Sequence, residues 1–566
     1  MKRSTMKVTL FLTLMFSLVL VSCGGGGGGG GTGGGGNTPD TTPPTVSSTS
    51  PADSATSVAV STTVSAVFSE SLDAATVTNA TFLLTGPSGT VAGTASASGA
   101  TATFTPSGSL ATSVTYTAEI TTGVKDKAGN ALAAARAWSF TTTAGGAKSW
   151  GSVVSLETGT GQAYAPQIAM DGNGNAFAVW RQYDVDSTGD RVFANRYTAG
   201  VGWGAAAIIQ SSTDPSAPVL SPPRVAADAN GNAIAVWEEF DPGAPGNTNI
   251  TSIWACRYTV GVGWGTAEII ENVADTSHDP RIAMDGNGNA IVVWLHDNYS
   301  IHQVWANRYL AGVGWGTEAR IDNAGYSNYP PQLGVDGSGN AVALWNQYNG
   351  VIASNIFTAG SGTAGSWGTA AQLVASGRDP QVSMNSGGAA VAIWAVFDGT
   401  FYRIYSKKYT SGSGWGADEL IDSDTTNDVG YPQVAVDSSG NAFAVWMKFD
   451  GARYHIYTAK HPALTTWGTN VRIDSDTYAA NYPQISVNGN GDAFAVWYQS
   501  DGTRYNAWSN HRLSSDSVWG TAELIENDNT GSAYDPQIAV DASGNALAVW
   551  RQNDGTRDNI VANRYQ

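Results

Sequence analysis

From Lys148 to the C-terminus, apolar and polar positions alternate in short runs that return in one fixed order. Each return opens on Pro, carries Gln or Arg next, and reaches Asp or Asn four positions later. It then crosses a Gly and closes on Trp. The pattern Pro–(Gln/Arg)–x3–(Asp/Asn)–x2–Gly–x–Ala–x3–Trp begins at Pro166, Pro223, Pro280, Pro331, Pro380, Pro432, Pro483 and Pro536, at spacings of 49 to 57 residues. "PQIAMDGNGNAFAVW" and "PQIAVDASGNALAVW" are the first and last copies. Within a copy the alternation has period two, which predicts strands. Ile168 and Met170 fall on one face with Ala169 on the other. Ala176, Ala178 and Trp180 oppose Phe177 and Val179. The Asp and Gly between the two runs predict a hairpin turn, Asp bonding a backbone N–H two residues on and Gly taking the left-handed position. Asp398-Gly399 and Asp450-Gly451 predict the next hairpin in the same way.

Each repeat holds four strand candidates: a Pro-led run, the run ending in Trp, a run like "IVANRY", and one starting at a second Trp as in "WGTAELI". Repeats of about 50 residues with four strands each are the signature of a propeller, in which no blade buries both of its faces alone. The repeat region enters on an outermost strand at Trp150 ("WGSVVSL") and leaves on a third strand at Tyr565. The last repeat therefore lacks its fourth strand and the first strand supplies it. That gives a three-plus-one closure and eight blades over 148–566.

The segment ahead of the repeats is also β in character. "TTVSAVFS", "TATFTP", "VTYTAEI" and "RAWSFTT" are alternating or β-branched runs separated by turn residues, which predicts a sandwich over 43–143. Pro43-Pro44-Thr45-Val46, Phe68-Ser69-Glu70-Ser71-Leu72-Asp73, Val124 to Asn130 and Trp138-Ser139-Phe140-Thr141-Thr142 resemble the bacterial Ig-like family of S-layer proteins. The resemblance implies a spacer or adhesive module. The expected fold class is thus all-β, an Ig-like β-sandwich followed by an eight-bladed β-propeller. The propeller repeat resembles those of bacterial propeller lectins, and its "AVDxxGN" stretch resembles the NHL repeat. The lectin resemblance implies sugar pockets between blades.

The first 22 residues carry a basic start (Lys2, Arg3, Lys7) and an apolar stretch too short and too early to span a membrane. They end at Leu20-Val21-Ser22-Cys23, which resembles the bacterial lipobox and implies acylation of Cys23. Several acyl chains on one residue anchor where one chain does not. Residues 23–42, with polyglycine and "TPDTTPP", cannot bury a core and read as a tether. The expected localisation is the cell envelope, at the outer membrane or cell surface, with the membrane as a partner through the lipid.

Charge and candidate chemistry add limits rather than an activity. A net charge of −18 disfavours nucleic acid as a partner. With Cys23 acylated, Cys256 is left without a disulfide partner, in "WACRY" where a sister repeat has "WANRY". The recurring Asp (171, 228, 285, 336, 437, 541, with Asn385 and Asn488 in two copies) reads as a turn cap. Asp184-Val-Asp186-Ser-Thr188-Gly189-Asp190 has the oxygen spacing of a calcium loop without its closing Glu. Asp422/Asp424 and Asp474/Asp476 are shorter versions. His296 and His302 flank one hairpin with no third His at zinc spacing. Glu238, Glu239 and Asp241 in the second repeat could serve as acid and base of a glycosidase-like site, although adjacent acids on a strand point to opposite faces. No nucleophile elbow, Walker loop or dinucleotide fingerprint occurs. The expectation is a non-enzymatic recognition or adhesion platform for an unidentified protein or glycan, with no cofactor and no metal site. The alternatives are a carbohydrate-binding lectin and a carbohydrate-active hydrolase centred on blade two.

Overall fold

The computed structural model describes residues 39–566 except 61, 88, 109, 144–147, 185–188, 211–218, 241–249, 273–274, 299–300, 324–327, 361–364, 423–425, 464, 476–477 and 527–529. The lipobox, Cys23 and most of the tether lie outside the described residues. The chain divides into two compact units at the 147/148 boundary. Among the described residues there is no α-helix, and no helix is long and apolar enough to cross a membrane.

The first unit packs a four-stranded sheet (Val46–Ser50, Val64–Phe68, Thr101–Pro106, Gly93–Ser98) on a five-stranded one (Ala55–Val58, Arg136–Thr142, Thr115–Ile120, Phe82–Gly86, Gly89–Thr90). The alternation of each strand sends Val64, Phe82, Phe104, Trp138 and Phe140 into one core, as a sandwich requires.

The second unit is a ring of eight sheets. Blade 1 runs Ala163–Met170, Ala176–Asp184 and Gly189–Thr198 from the axis outward. Its outermost strand is broken into Gly202–Trp203 and Ala207–Ile208, both paired to the third strand. The eight closing Trp residues are all buried. Each wedges against the large-residue face of the blade before it. Trp345 packs on Val293 and Leu295, and Trp180 of blade 1 packs on Val549 and Ile560 of blade 8. Burying such a side chain contributes several kcal/mol, and the last contact closes the ring. Val154 and Ser155 pair antiparallel with Ala562 and Val561, and Trp150 bridges to Tyr565, so the first strand completes the eighth blade.

The recurring Asp is the turn cap that the sequence predicts. Asp171 Oδ1 accepts the N–H of Asn173 and of Asn175, at 2.9 and 2.8 Å. The same carboxylates also lie close against the next blade's turn. A Cβ on Gly288 would lie 2.9 Å from Asp228 Oδ2 of the preceding blade, and Gly288 has φ of +85°, so that turn admits only glycine. Asn385 and Asn488 replace Asp for a reason visible here. Their amides donate to the carbonyls of Asp437 and Asp541 in the next blade, at 2.8 and 2.9 Å. In blade 7 the two turn residues are exchanged, Asn488 donating to Asp492 at 2.8 Å.

Candidate functional site

The residue before the motif Pro separates this surface from the rest of the ring. In six blades it is Ala165, Asp279, Asp379, Tyr431, Tyr482 or Asp535, and each has φ of +50° to +54°. The inner strand loses register there, as between Tyr164 and Gln167 or His278 and Arg281. A residue ahead of proline ordinarily stays extended, and the left-handed region costs a side-chain residue on the order of 1 kcal/mol. The bulge thus holds strain at one position in six blades and re-aims that side chain. In blades 2 and 4 the preceding residue is itself Pro (Pro222, Pro330), whose ring forbids positive φ, and no shift interrupts those pairings.

Two residues further on, the Gln/Arg position of every blade faces the axis. Gln167, Arg224, Arg281, Gln332, Gln381, Gln433, Gln484 and Gln537 together line an axial cavity of about 530 Å³. Six carboxamides and two neighbouring guanidinium groups make a collar of donors. Arg224 donates to Gln167 Oε1 at 2.8 Å, and Arg281 to the Pro280 carbonyl at 3.0 Å. Burial, and then Arg281, lower the pKa of Arg224, with Asp279 opposing. An anion would relieve this repulsion between like charges.

A second cavity, of about 570 Å³, shares Arg281, Gln332, Gln381 and Gln433 with the collar and widens over blades 4 to 6. Its walls include Tyr329, Tyr348 and Tyr431. Tyr329 and Tyr348 have ring centroids 4.5 Å apart, and Tyr431 and Tyr482 4.6 Å. These four rings are each 44–55% exposed. Tyr498, Tyr505 and Tyr534 extend the aromatic belt, with centroids 5.2 to 5.6 Å apart. Arg378 and Asp379 stand beside them on the cavity wall.

The spaces between blades are occupied differently. The Arg of "ANRY" covers an aromatic ring of the next blade: Arg196 lies over Tyr258, Arg257 over Tyr309 and Arg308 over Phe357, at 5.2 to 5.6 Å. These guanidinium groups take the ring faces that a sugar between blades would need. A cavity of about 480 Å³ does lie between blades 3 and 4, beside Arg308, Phe357 and Trp367.

The sequence-derived candidates separate as follows. Glu238 and Glu239 point to opposite faces and form no pair. Glu239 is buried, accepting from Trp237 Nε1 at 2.8 Å and from Gln210 at 2.6 Å. Glu238 faces blade 3 instead. Burial raises its pKa, while Ser221 and His278 oppose the rise. Asp279 is lowered, first by its hydrogen bond to His278. Asp241 lies outside the described residues. His296 turns away from His302, with Nδ1 3.1 Å from Ser277 Oγ, in the interior. His302 bonds Asp297, and its ring lies 5.4 Å from that of His278. Burial disfavours charge on His278, but hydrogen bonds to Asp279 and Asp297 outweigh it and hold the pKa at about 9.

Two shorter calcium candidates prove to be paired with cations of the protein. Asp422, fully buried, faces Lys448 at 3.2 Å. Asp474 takes His455 at 2.8 Å and Arg472 at 2.9 Å. Their partners Asp424 and Asp476, and the middle of the Asp184–Asp190 loop, lie outside the described residues. Cys256 is a substituted strand position. Its thiol donates to the Gly265 carbonyl at 3.3 Å, where Asn307 makes the bond to Gly316 at 3.0 Å. Burial pushes that thiol up to about 11, so it carries no thiolate near neutrality.

Residues 40–142 match the family model of the bacterial Ig-like domain. Domains of this kind are typically extracellular or at the cell surface. No curated protein matches the chain significantly. Among solved structures, the chain is similar to a polysaccharide lyase, an ulvan lyase (10% identity, TM-score 0.42, covering 72% of this chain and 94% of that one). It is similar to an α-L-arabinofuranosidase from Fusarium graminearum (10%, 0.37, 74% and 98%). It is also similar to the β-propeller domain of the Trilobed protease from Pyrococcus furiosus (10%, 0.38, 65% and 96%). At these identities the likeness concerns the fold alone. The described sheets and the matched segment make this chain an Ig-like sandwich followed by an eight-bladed propeller. The expectation that the chain is not an enzyme is corrected by the same comparisons, because two of these structures are carbohydrate-active enzymes. The lack of a familiar catalytic motif in the repeats does not exclude catalysis on this fold.

Proposed function

We propose that this chain engages carbohydrate at the axial mouth of its propeller. The observation that carries the reading is the 570 Å³ cavity in which exposed tyrosine rings stand over a collar of carboxamides and guanidinium groups. Tyrosine faces stack on the apolar side of a pyranose, and planar amide and guanidinium donors read its hydroxyls. The arginine pair at 224 and 281 favours a saccharide bearing carboxylate or sulfate. The test is a glycan array with the full chain, followed by titration of the best ligand against Tyr348→Ala, Tyr431→Ala and Arg281→Gln. Each should weaken binding about tenfold or more, in line with the cost of losing an aromatic or Arg anchor. Unchanged affinity in all three would refute the site.

A second reading concerns the seam between blades 2 and 3, beside the residues that line the two cavities. Glu238, raised by burial, and Asp279, lowered by His278, sit on adjacent blades with their acidities pushed apart, the arrangement a general acid and its ionised partner require. On this reading the chain cleaves the saccharide it binds. Release of new sugar ends from the array ligand, lost in Glu238→Gln with binding retained, would establish it. No release from any bound glycan would remove it.

The cell envelope is the proposed location, with acylated Cys23 as the anchor. Cys23→Ala should shift the protein from the detergent fraction to the soluble one. A wild-type chain without acyl mass would end that part of the proposal.

A further inference from the structure

Blade 3 carries a group of side chains that neither the saccharide cavity nor the core uses. His278 lies on the inner strand Ser277–Met284, Asp297 on the second strand Ala290–Asn298, and His302 on the third strand Ile301–Leu310. Register brings them to one face. Asp297 is directly opposite His302, and His278 is opposite Leu295, two residues before Asp297. His278 Nε2 is 3.1 Å from Asp297 Oδ1, and His302 Nδ1 bonds the same oxygen. One ligand atom from each of the three lies within 4.8 Å of the others.

We propose that His278, Asp297 and His302 bind a divalent transition-metal ion of the zinc class, with a further coordination position open to solvent. Two imidazoles and one carboxylate are a donor set for zinc rather than for calcium or magnesium, which take all-oxygen shells. Three protein ligands leave room for water or a ligand group, as in zinc sites that are not purely structural. The second ring nitrogen of His278 is also committed. Its Nδ1 is 3.2 Å from Asp279 Oδ2, and a carboxylate in that place keeps the Nδ1 proton, so that Nε2, on giving up the proton it shares with Asp297, is the atom that faces the metal. All three side chains are partly exposed, between 20% and 39%, so an ion can enter without unfolding the blade. The His302 ring lies 5.8 Å from that of Tyr348, which lines the 570 Å³ cavity. The ion would therefore sit on the rim of that cavity.

His278 Nε2 and His302 Nδ1 both meet Asp297 Oδ1. A carboxylate oxygen accepts both bonds while those nitrogens carry protons. With the protons released, the same convergence presents two imidazole lone pairs and a carboxylate to one cation.

The metal reading is independent of the saccharide reading, because its test contains no sugar. The full chain is stripped with chelator, dialysed against Zn²⁺ in the presence of excess Ca²⁺ and Mg²⁺, and its metal is counted by mass spectrometry. One equivalent of zinc should be retained. Asp297→Ala and His302→Ala should lose it, and Asp279→Asn should weaken it by about 10–100-fold, the usual effect of removing an orienting carboxylate. His302→Gln keeps a polar side chain of similar reach without an imidazole and guards against misfolding of the alanine variants. Co²⁺ in place of zinc should give a visible ligand-field band that disappears with the same substitutions. Zinc retained equally by His302→Gln and Asp297→Ala, or no zinc retained by the wild type, overturns the proposal.

Discussion

The left-handed residue before the motif proline is the smallest unit in which this propeller departs from its own repeat. Tyr, Asp and Ala stand where the backbone favours Gly, at φ near +50°. The side chain is retained in spite of its cost, and in Tyr431 the side chain lines the cavity. Ala165 tests the energetic half of this argument, because its methyl brings strain without an aromatic ring. Ala165→Gly should stabilise the protein by up to about 0.5 kcal/mol, the relief of left-handed strain less the added entropy of glycine in the unfolded chain. Denaturant midpoints at unchanged slope would measure it, and a destabilised variant would contradict it. Residue-scale chemistry was unevenly legible in the sequence. Asp171 and its equivalents could be read as turn caps because cap and turn lie within five residues. The Asn385 and Asn488 exchanges could not, since their partners are the carbonyls of another blade. The bulge was hidden for a different reason: nothing local distinguishes Asp279 before Pro280 from an extended residue.

Among the elements, the strands and their faces were readable from period two alone, and the buried Trp wedges followed from it. The triad of His278, Asp297 and His302 was not. The tight hairpin places Asp297 opposite His302, but His278 joins only through the pairing of a separate strand. His296, which flanks the same hairpin, stays out of the group because 296 and 302 fall on opposite faces. The closing strand holds a titrating group of its own. Glu157 follows Leu156, whose N–H donates to the Ile560 carbonyl at 2.9 Å, and its carboxyl is buried with Arg557 at 3.5 Å. Burial pushes its pKa up to about 7, with Arg557 opposing, from 4.5. A carboxyl raised on folding favours the folded state while protonated. Its contribution is therefore full below pH 4.5 and is lost as pH rises toward 7. Glu157→Gln should leave the melting temperature nearly unchanged at pH 4.5 and raise it at pH 8. The full shift corresponds to about 3 kcal/mol, and screening leaves on the order of 1–2. An equal effect at both pH values would show that the carboxyl does not titrate in this window.

At the scale of the ring, closure depends on strands just over 400 residues apart in sequence, Val154 against Ala562, and several independent bonds secure it. Ser149 and Gln566 exchange backbone hydrogen bonds at 3.1 and 3.2 Å. Arg557 donates to the carbonyls of Gly159 and Gly161 at 2.6 and 3.0 Å, and Asn563 to that of Gly151 at 3.1 Å. Trp150 stacks edge-on to Tyr565 at 5.8 Å and joins a cluster with Val153, Val496 and Trp550. Removing residues 149–157 would delete Leu156 from between blades 1 and 8 and leave the third strand Asp558–Tyr565 as an unpaired edge. An exposed edge of that length templates aggregation. The lost burial of Leu156, Val153 and Trp150 amounts to several kcal/mol, comparable with the whole stability margin of a domain. The deletion should therefore lower the melting temperature of the propeller by ten degrees or so, or yield insoluble protein. Adding back a peptide of residues 148–160 should restore part of the loss, because the missing strand is continuous and its pairing register is set by Val154 opposite Ala562. A deletion variant that melts as the full chain does would mean that the seven complete blades hold the eighth in place without it.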